Sequence, residues 1–268
     1  MIVNQLNPFQ MYEQFLVPAM YLPQAREIIR LAKPKAGENV LDVACGTGIV
    51  AREISPLVGK VGAVTGIDFT PGMLEVARQI KQPGGPVINW MEGNAMAMAF
   101  DDETFDLVTC QQGAQFFNVR LTGFKEMKRV LVSCGRIVLA VNQGFDKNEV
   151  YRVLHESLLK HSGINALESA FSFGDGAALR SVMTGAGFSQ LSITPHIVHV
   201  RLPSENVFVM ATILSSGSAV QAFKQIDTYT RTALFEVLLN DLRPVLALYR
   251  EGDEIVFPLH VNIARGVA

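Results

Sequence analysis

Val40-Leu-Asp-Val-Ala-Cys-Gly-Thr-Gly48 is the most informative stretch of the chain. An apolar run over 40–44 leads into Gly46-Thr-Gly48, and a helical pattern follows over 49–57. A strand that runs into glycines and then a helix lets a ligand approach the backbone, because neither glycine carries a side chain in the way. About twenty residues further on, a second apolar run ends in Asp68, where an acid is placed to accept both hydroxyls of a ribose. These features together specify a nucleoside-containing ligand on the first half of a parallel sheet.

The alternation continues outward. Pro71 sits where a first helical turn tolerates proline and opens a helix through about residue 81. Residues 87–92, 105–110 and 136–141 read as the third, fourth and fifth strands. Residues 119–131 read as a helix, with Phe124, Met127, Val130 and Leu131 on one face and Lys125, Lys128 and Arg129 on another. Apolar strands separated by helices imply a parallel sheet covered on both faces. After residue 142 the rhythm changes. Helices are expected over 149–160 and 177–186, the second closed by Gly187 in a left-handed C-cap, with a Gly/Ser/Phe-rich loop at 171–176 between them. Residues 188–194 and 257–264 read as a terminal antiparallel hairpin, with helical stretches at about 204–214 and 228–249 between its strands. The expected fold is α/β: a Rossmann-like, seven-stranded, mostly parallel sheet with an antiparallel last strand and helices on both faces. One domain over 1–268 is expected, with an N-terminal helical cover at 1–36 and a cofactor-binding core at 37–141. The remaining strands lie in 142–268, with helical lid insertions at about 142–176 and 197–253.

Composition narrows the function. A chain of 268 residues, 49% hydrophobic and 18% charged, is sized and composed for one folded domain. Its 23 Lys+Arg against 25 Asp+Glu leave a net charge of −2. That is too little positive charge to grip a phosphate backbone, so no nucleic-acid partner is expected. Cys45, Cys110 and Cys134 stand far apart, in a spacing that fits neither a metal site nor a disulfide framework. No metal is expected, and the thiols suit a reducing compartment. The first fifteen residues lack a basic segment followed by an apolar one. No apolar run approaches the roughly 18–20 residues that cross a bilayer. A cytoplasmic protein without a membrane span is the expectation, and a homodimer is carried as its candidate assembly.

The glycine turn serves NAD as well as other nucleosides, and Asp42 separates them. NAD presents a pyrophosphate, which needs donors and no nearby negative charge. Asp42, four residues before Gly46, would repel a phosphate but suits a ligand carrying an ammonium and a sulfonium. S-adenosylmethionine has both and contains no phosphate.

Leu41-Asp-Val-Ala-Cys-Gly-Thr-Gly48, followed by Gly66-Ile-Asp-Phe-Thr-Pro-Gly-Met-Leu74, resembles the class I S-adenosylmethionine-dependent methyltransferases. Within that class the chain is most similar to the ubiquinone/menaquinone-biosynthesis-like small-molecule enzymes. Glu92-Gly-Asn-Ala95, Phe105-Asp-Leu-Val-Thr-Cys110, Glu126-Met-Lys-Arg-Val-Leu131 and Cys134-Gly-Arg-Ile-Val-Leu139 extend the likeness across about 37–141. The resemblance implies that Ala44, Gly46 and Gly48 line the methionine and ribose portion and that Asp42 holds the amino group, directly or through water. It implies that Asp68 binds the ribose hydroxyls, that Phe69 and Met73 sandwich the adenine, and that Asn94 and Ala95 meet the adenine edge. Many relatives have aspartate at the position of Asn94, whose amide carbonyl can still accept a hydrogen bond. Gln111 is expected near the methionine moiety. In similar enzymes an N-terminal segment closes over the cofactor, and a tyrosine placed like Tyr12 contacts it.

The acceptor side is expected from the fourth-strand end, the N-terminal segment and the insertions. Cys110-Gln-Gln-Gly-Ala-Gln-Phe-Phe117 lacks the Asn/Asp-Pro-Pro-aromatic stretch usual in enzymes that methylate nucleobase or protein amide nitrogens. Gln112, Phe116 and Phe117, with Phe15 and His155, are the candidate acceptor-binding residues and suit a small apolar or aromatic molecule. Methyl transfer needs alignment and water exclusion more than a base. The catalytic residue is unassigned, with His155 as a candidate base. Three alternatives stay open at this point: a non-catalytic adenosylmethionine-binding sensor or partner protein, a quinone-ring C-methyltransferase, and an NAD(P) oxidoreductase.

Overall fold

A computed structural model describes residues 7–215 and 227–268. The first five strands are β1 (Asn39–Val43), β2 (Ala63–Asp68), β3 (Asn89–Glu92), β4 (Phe105–Gln111) and β5 (Leu131–Asn142). They are followed by β6 (Ser189–Leu202), β7 (Arg250–Glu251) and β8 (Glu254–Val267). The main sheet has the order β3-β2-β1-β4-β5-β8-β6, and the short β7 pairs beside it on β8. Strands β1 to β5 pair in parallel, while β8 runs antiparallel to both β5 and β6. The order reverses between β1 and β4, which opens a crevice at their carboxyl ends.

Strand residues alternate between two cores, as a doubly covered sheet requires. Val40, Leu107 and Val138 join one cluster with the helices α2 (Leu22–Ala32), α3 (Ile49–Val58) and α6 (Glu149–Ser162). The later helices, here α8 (Glu205–Ser215) and α9 (Thr228–Leu246), cover the same face through Phe208, Leu238 and Leu242. Leu41, Val108 and Ile137 face the opposite way, onto Phe124 and Met127 of α5 (Arg120–Arg129) and Leu179 and Met183 of α7 (Gly176–Gly185). Helix α4 (Pro71–Gln79) begins with its proline at the first turn, and Gly187 has φ +91° after α7, both as expected.

Several elements differ from expectation. Strand β5 starts at Leu131, five residues early, through an irregular register opposite Phe105 and Leu107, and α5 correspondingly ends at Arg129. Strand β6 runs through Pro195 to Leu202, into the stretch expected as an insertion. Proline is tolerated there because β6 pairs only with β8, so its other edge makes no ladder. The N-terminal cover is not a plain α-helix: α1 (Pro8–Met11) gives way to a π-helical segment, Tyr12–Tyr21, before α2. The part of the expected 197–253 insertion at 216–226 lies outside the described residues.

Candidate active site

A cavity of about 540 Å³ occupies the crevice at the carboxyl ends of β1, β2 and β4. It is lined by Ala44, Gly46, Ile67–Thr70, Met73 and Gly93–Met96, by Gln111–Gly113 and Phe116–Asn118, and by Tyr12 and Tyr21.

The glycine turn is shaped by positive φ at Ala44 (+54°) and Gly46 (+56°). Its chain is held down by Cys45 N–H donating to the Ile67 carbonyl at 2.9 Å. Gly46 N–H donates to one carboxylate oxygen of Asp68 and Thr70 N–H to the other, both at 2.8 Å. Burial raises the Asp68 pKa, and these N–H groups oppose the rise. Phe69 stands 76% exposed at the rim, and Met73 faces in from α4. Asn94 turns its amide oxygen onto Met96 N–H at 2.9 Å, which leaves its second lone pair and its amino group uncommitted within the turn.

Two residues expected at the cofactor do not line the cavity. Asp42 is 1% exposed and lies beneath the turn. Its oxygens accept from the Thr109 hydroxyl at 2.8 Å and from Ala51 N–H at 3.2 Å, so it braces β1 against β4 and α3. Burial pushes its pKa up to about 7. Gly48, with φ +87°, faces Trp90: a Cβ there would lie 2.1 Å from the indole. It is glycine to admit that ring and the left-handed turn.

The Gln111–Phe117 wall is shaped by Gly113, where an added Cβ would meet the Ala44 methyl at 2.4 Å, so the β4 and β1 loops touch. Gln111 donates its side-chain amide to the Tyr21 carbonyl at 2.8 Å. Gln112 lines the cavity, but its side chain is spent elsewhere. It donates to Gln24 at 2.7 Å and accepts from Gln115 at 2.8 Å and from Asn142 N–H at 3.0 Å. Phe116 is 56% exposed, and Phe117 packs over Gly123, leaving no room for a side chain there.

Phe15 and His155 are not brought to the cavity. Phe15 packs against the apolar cluster under the cover. His155 stacks on Phe145 with ring centroids 4.7 Å apart, and the candidate base does not line this cavity. Conversely, Tyr21, Thr70, Met96 and Asn118 line the cavity without having been singled out. Tyr21 was illegible for a geometric reason: nine residues at the α-helical 100° per residue place it opposite Tyr12. The wider π winding brings the two rings together, 4.8 Å apart. Burial raises both phenols, Tyr21 to about 12.

The strand order, the reversed last strand and the crevice under a glycine turn are those of a class I, S-adenosylmethionine-dependent methyltransferase, and the nicotinamide alternative falls. The chain belongs to the ubiE/COQ5 methyltransferase family, which matches residues 21–198. Demethylmenaquinone methyltransferase of Bacillus subtilis (strain 168) is 40% identical over 111 residues, 41% of this chain and 48% of that protein. The Staphylococcus haemolyticus enzyme of the same name is 33% identical over 203 residues, 71% of this chain and 82% of the relative. The match thus spans about half the length of the first relative and more of the second. Among solved structures, a methyltransferase of Bacillus halodurans C-125 superposes with TM-score 0.60 at 22% identity, covering 91% of this chain and 98% of that one. One from an antibiotic biosynthesis pathway of Anabaena variabilis gives 0.62 at 17%, covering 90% and 96%. No described helix is long and apolar enough to cross a membrane.

Proposed function

We propose that the chain transfers the methyl group of S-adenosylmethionine to a small aromatic acceptor of the quinol type. The observation that carries this reading is one cavity joining the glycine turn and Asp68 to the Gln111–Phe117 wall, so that donor and acceptor would share one crevice. The lining suits a phosphate-free nucleoside. It combines a carboxylate for the ribose, the apolar faces of Phe69 and Met73 for a base, and the bare backbone of Gly46, and its described residues include no lysine or arginine. Asp68 keeps lone pairs for ribose hydroxyls beyond those that accept from Gly46 and Thr70. Asn94 and Ala95 lie where the edge of the base would end, and Ala44 and Gln111 flank the methionine side.

When bound, S-adenosylmethionine supplies a methyl carbon activated by a positive sulfur. The chain's task is alignment, with nucleophile and methyl roughly 3–3.5 Å apart and water excluded. Phe116 and Phe117 offer apolar surface to a ring, and Tyr12 and Tyr21 cover it. Burial keeps both tyrosines protonated, so they donate hydrogen bonds and do not act as bases. Asp68 is the one carboxylate among the described lining residues and is assigned to the ribose. A phenolic acceptor with a pKa near 10 holds its proton at neutral pH; with no base in the described lining, the proton goes to solvent before transfer and the ionised fraction of the acceptor is the nucleophile. The names of the relatives point the same way, to a quinone-type ring. Family membership favours an enzyme over a non-catalytic binder.

Calorimetric titration with S-adenosylhomocysteine, followed by turnover of a short-chain naphthoquinol, tests the reading. Asp68→Ala should weaken cofactor binding by roughly 2–4 kcal/mol through loss of two hydrogen bonds at a largely buried site. An unchanged dissociation constant would remove Asp68 from the site. Tight binding without methylation of any phenolic or quinol acceptor would remove the acceptor class and leave the cofactor.

A further inference from the structure

We infer that Arg52 is a positioning residue for methyl transfer: it registers the tyrosine-bearing cover against the glycine turn. The inference rests on the reading that Tyr12 covers bound cofactor. Arg52 lies on α3, one turn past the glycines, and is 5% exposed. One arm of its guanidinium donates to the carbonyl of Thr47, the middle residue of Gly46-Thr47-Gly48. The other donates to Glu13 at 2.8 Å, in the first turn of the π-helical segment. A single side chain therefore ties the cover to the turn on which the cofactor would lie.

The next residue along the cover gives this tie its consequence. Glu13 follows Tyr12, whose hydroxyl lies 3.5 Å from the position a Cβ on Gly46 would take. The far end of the same segment is pinned by Gln111 donating to the Tyr21 carbonyl. Between these two polar pins the segment meets the core through Leu16, Val17, Ala19 and Met20, whose apolar contacts are non-directional. Directional bonds at the two ends set the rotation of the segment and so the height of both tyrosine rings. Taking a guanidinium and a carboxylate out of water gains little stability in itself. A pair of a buried guanidinium and a half-buried carboxylate that bridges the cover and the glycine turn is better accounted for by the geometry it fixes.

The test is a double-mutant cycle on S-adenosylhomocysteine binding, read by calorimetry. Glu13→Ala should weaken binding about tenfold and Tyr12→Ala at least as much, while the double variant binds no more weakly than Tyr12→Ala alone. Glu13→Gln, which keeps an acceptor oxygen for Arg52, should stay within about threefold of the parent. Trp90, the one tryptophan of the chain, packs against Gly48 and Gly66, so its emission reports whether each variant keeps the folded turn. If Glu13→Ala does not fold, Arg52→Lys takes its place. It keeps the charge but not the two-armed reach, and should weaken binding severalfold only when Tyr12 is present. Equal losses in both backgrounds, or no loss from either variant, overturn the inference while the cofactor site stands. A Tyr12→Ala protein that binds like the parent overturns the cover reading, and this inference with it.

Discussion

Asp42 shows how one buried group ties the site to stability. Its carboxyl is shut under the glycine turn, where burial raises its pKa to about 7 against the Thr109 and Ala51 bonds that hold it down. An unfolded aspartate titrates near 3.9. Between those values the folded protein binds the proton that the unfolded chain releases, so stability falls as pH rises through this window and levels off above about 7. Asp42→Asn keeps the shape without the ionisation. Relative to the parent it should gain roughly 2–4 kcal/mol between pH 4 and pH 8. Urea midpoints across that range measure it, and a difference that does not vary with pH would show that Asp42 does not titrate there. The residue type and position of Asp42 were legible in the sequence, and its surroundings were not. Strand alternation separates Asp42 from Leu41 and Val43, but only the packing of α3 and β4 shows that both its oxygens are already engaged. Gly48 is similar: the motif marks it as a ligand contact, whereas the space it leaves is filled by Trp90, forty-two residues away.

At the scale of elements, the glycine turn depends on how the cover is anchored. Helix α2 ends at Lys33 in the left-handed conformation, with φ +47°. Arg136 from β5 donates to the Ala32 and Lys33 carbonyls at 2.6 and 3.0 Å and forms a two-pronged pair with Glu38. Arg136→Ala removes the donors that satisfy the helix-end carbonyls and leaves Glu38 with the Lys35 N–H but without its guanidinium, which should cost about 2–4 kcal/mol of unfolding free energy. Arg136→Lys should recover only part of it, because one ammonium cannot replace the planar fork. Equilibrium denaturation distinguishes these, and a loss below about 0.5 kcal/mol, the range of an idle surface charge, would show that the clamp is dispensable. The strands and helices of 37–141 were readable because each buries a face with its own period. The π segment was not, because its period belongs to neither template. The sequence pattern ends strand β6 before Pro195, whereas the strand runs on to Leu202, because being an edge strand is a property of the sheet, not of the local sequence.

For the molecule as a whole, the cavity joins residues far apart in the chain, and its chemistry follows from what surrounds it. With a phenolic acceptor and no base from the lining, kcat/KM should rise with pH and level off at the ionisation of the acceptor itself. Substituents that make the phenol more acidic should move the inflection downward in step. A fixed inflection near 6.5, whatever the acceptor, would assign the proton to a histidine of the chain.

The sequence by itself determined the backbone frame of the glycine turn and the strand-end acid. A strand, glycine turn, helix and strand-end acid are contiguous within about thirty residues of a βαβ unit, so their geometry is set by local backbone rules. Tertiary structure decided how Tyr12 and Tyr21 and the Gln111–Phe117 wall come together around the cavity. Tyr21 meets Gln111 across 90 residues and Gln24 meets Gln112 across 88. Such contacts arise from how helices pack on the sheet, which no local period encodes. For the same reason Phe15 and His155, credible candidates by residue type, lie away from the cavity, Phe15 half-buried against the apolar cluster and His155 stacked on Phe145.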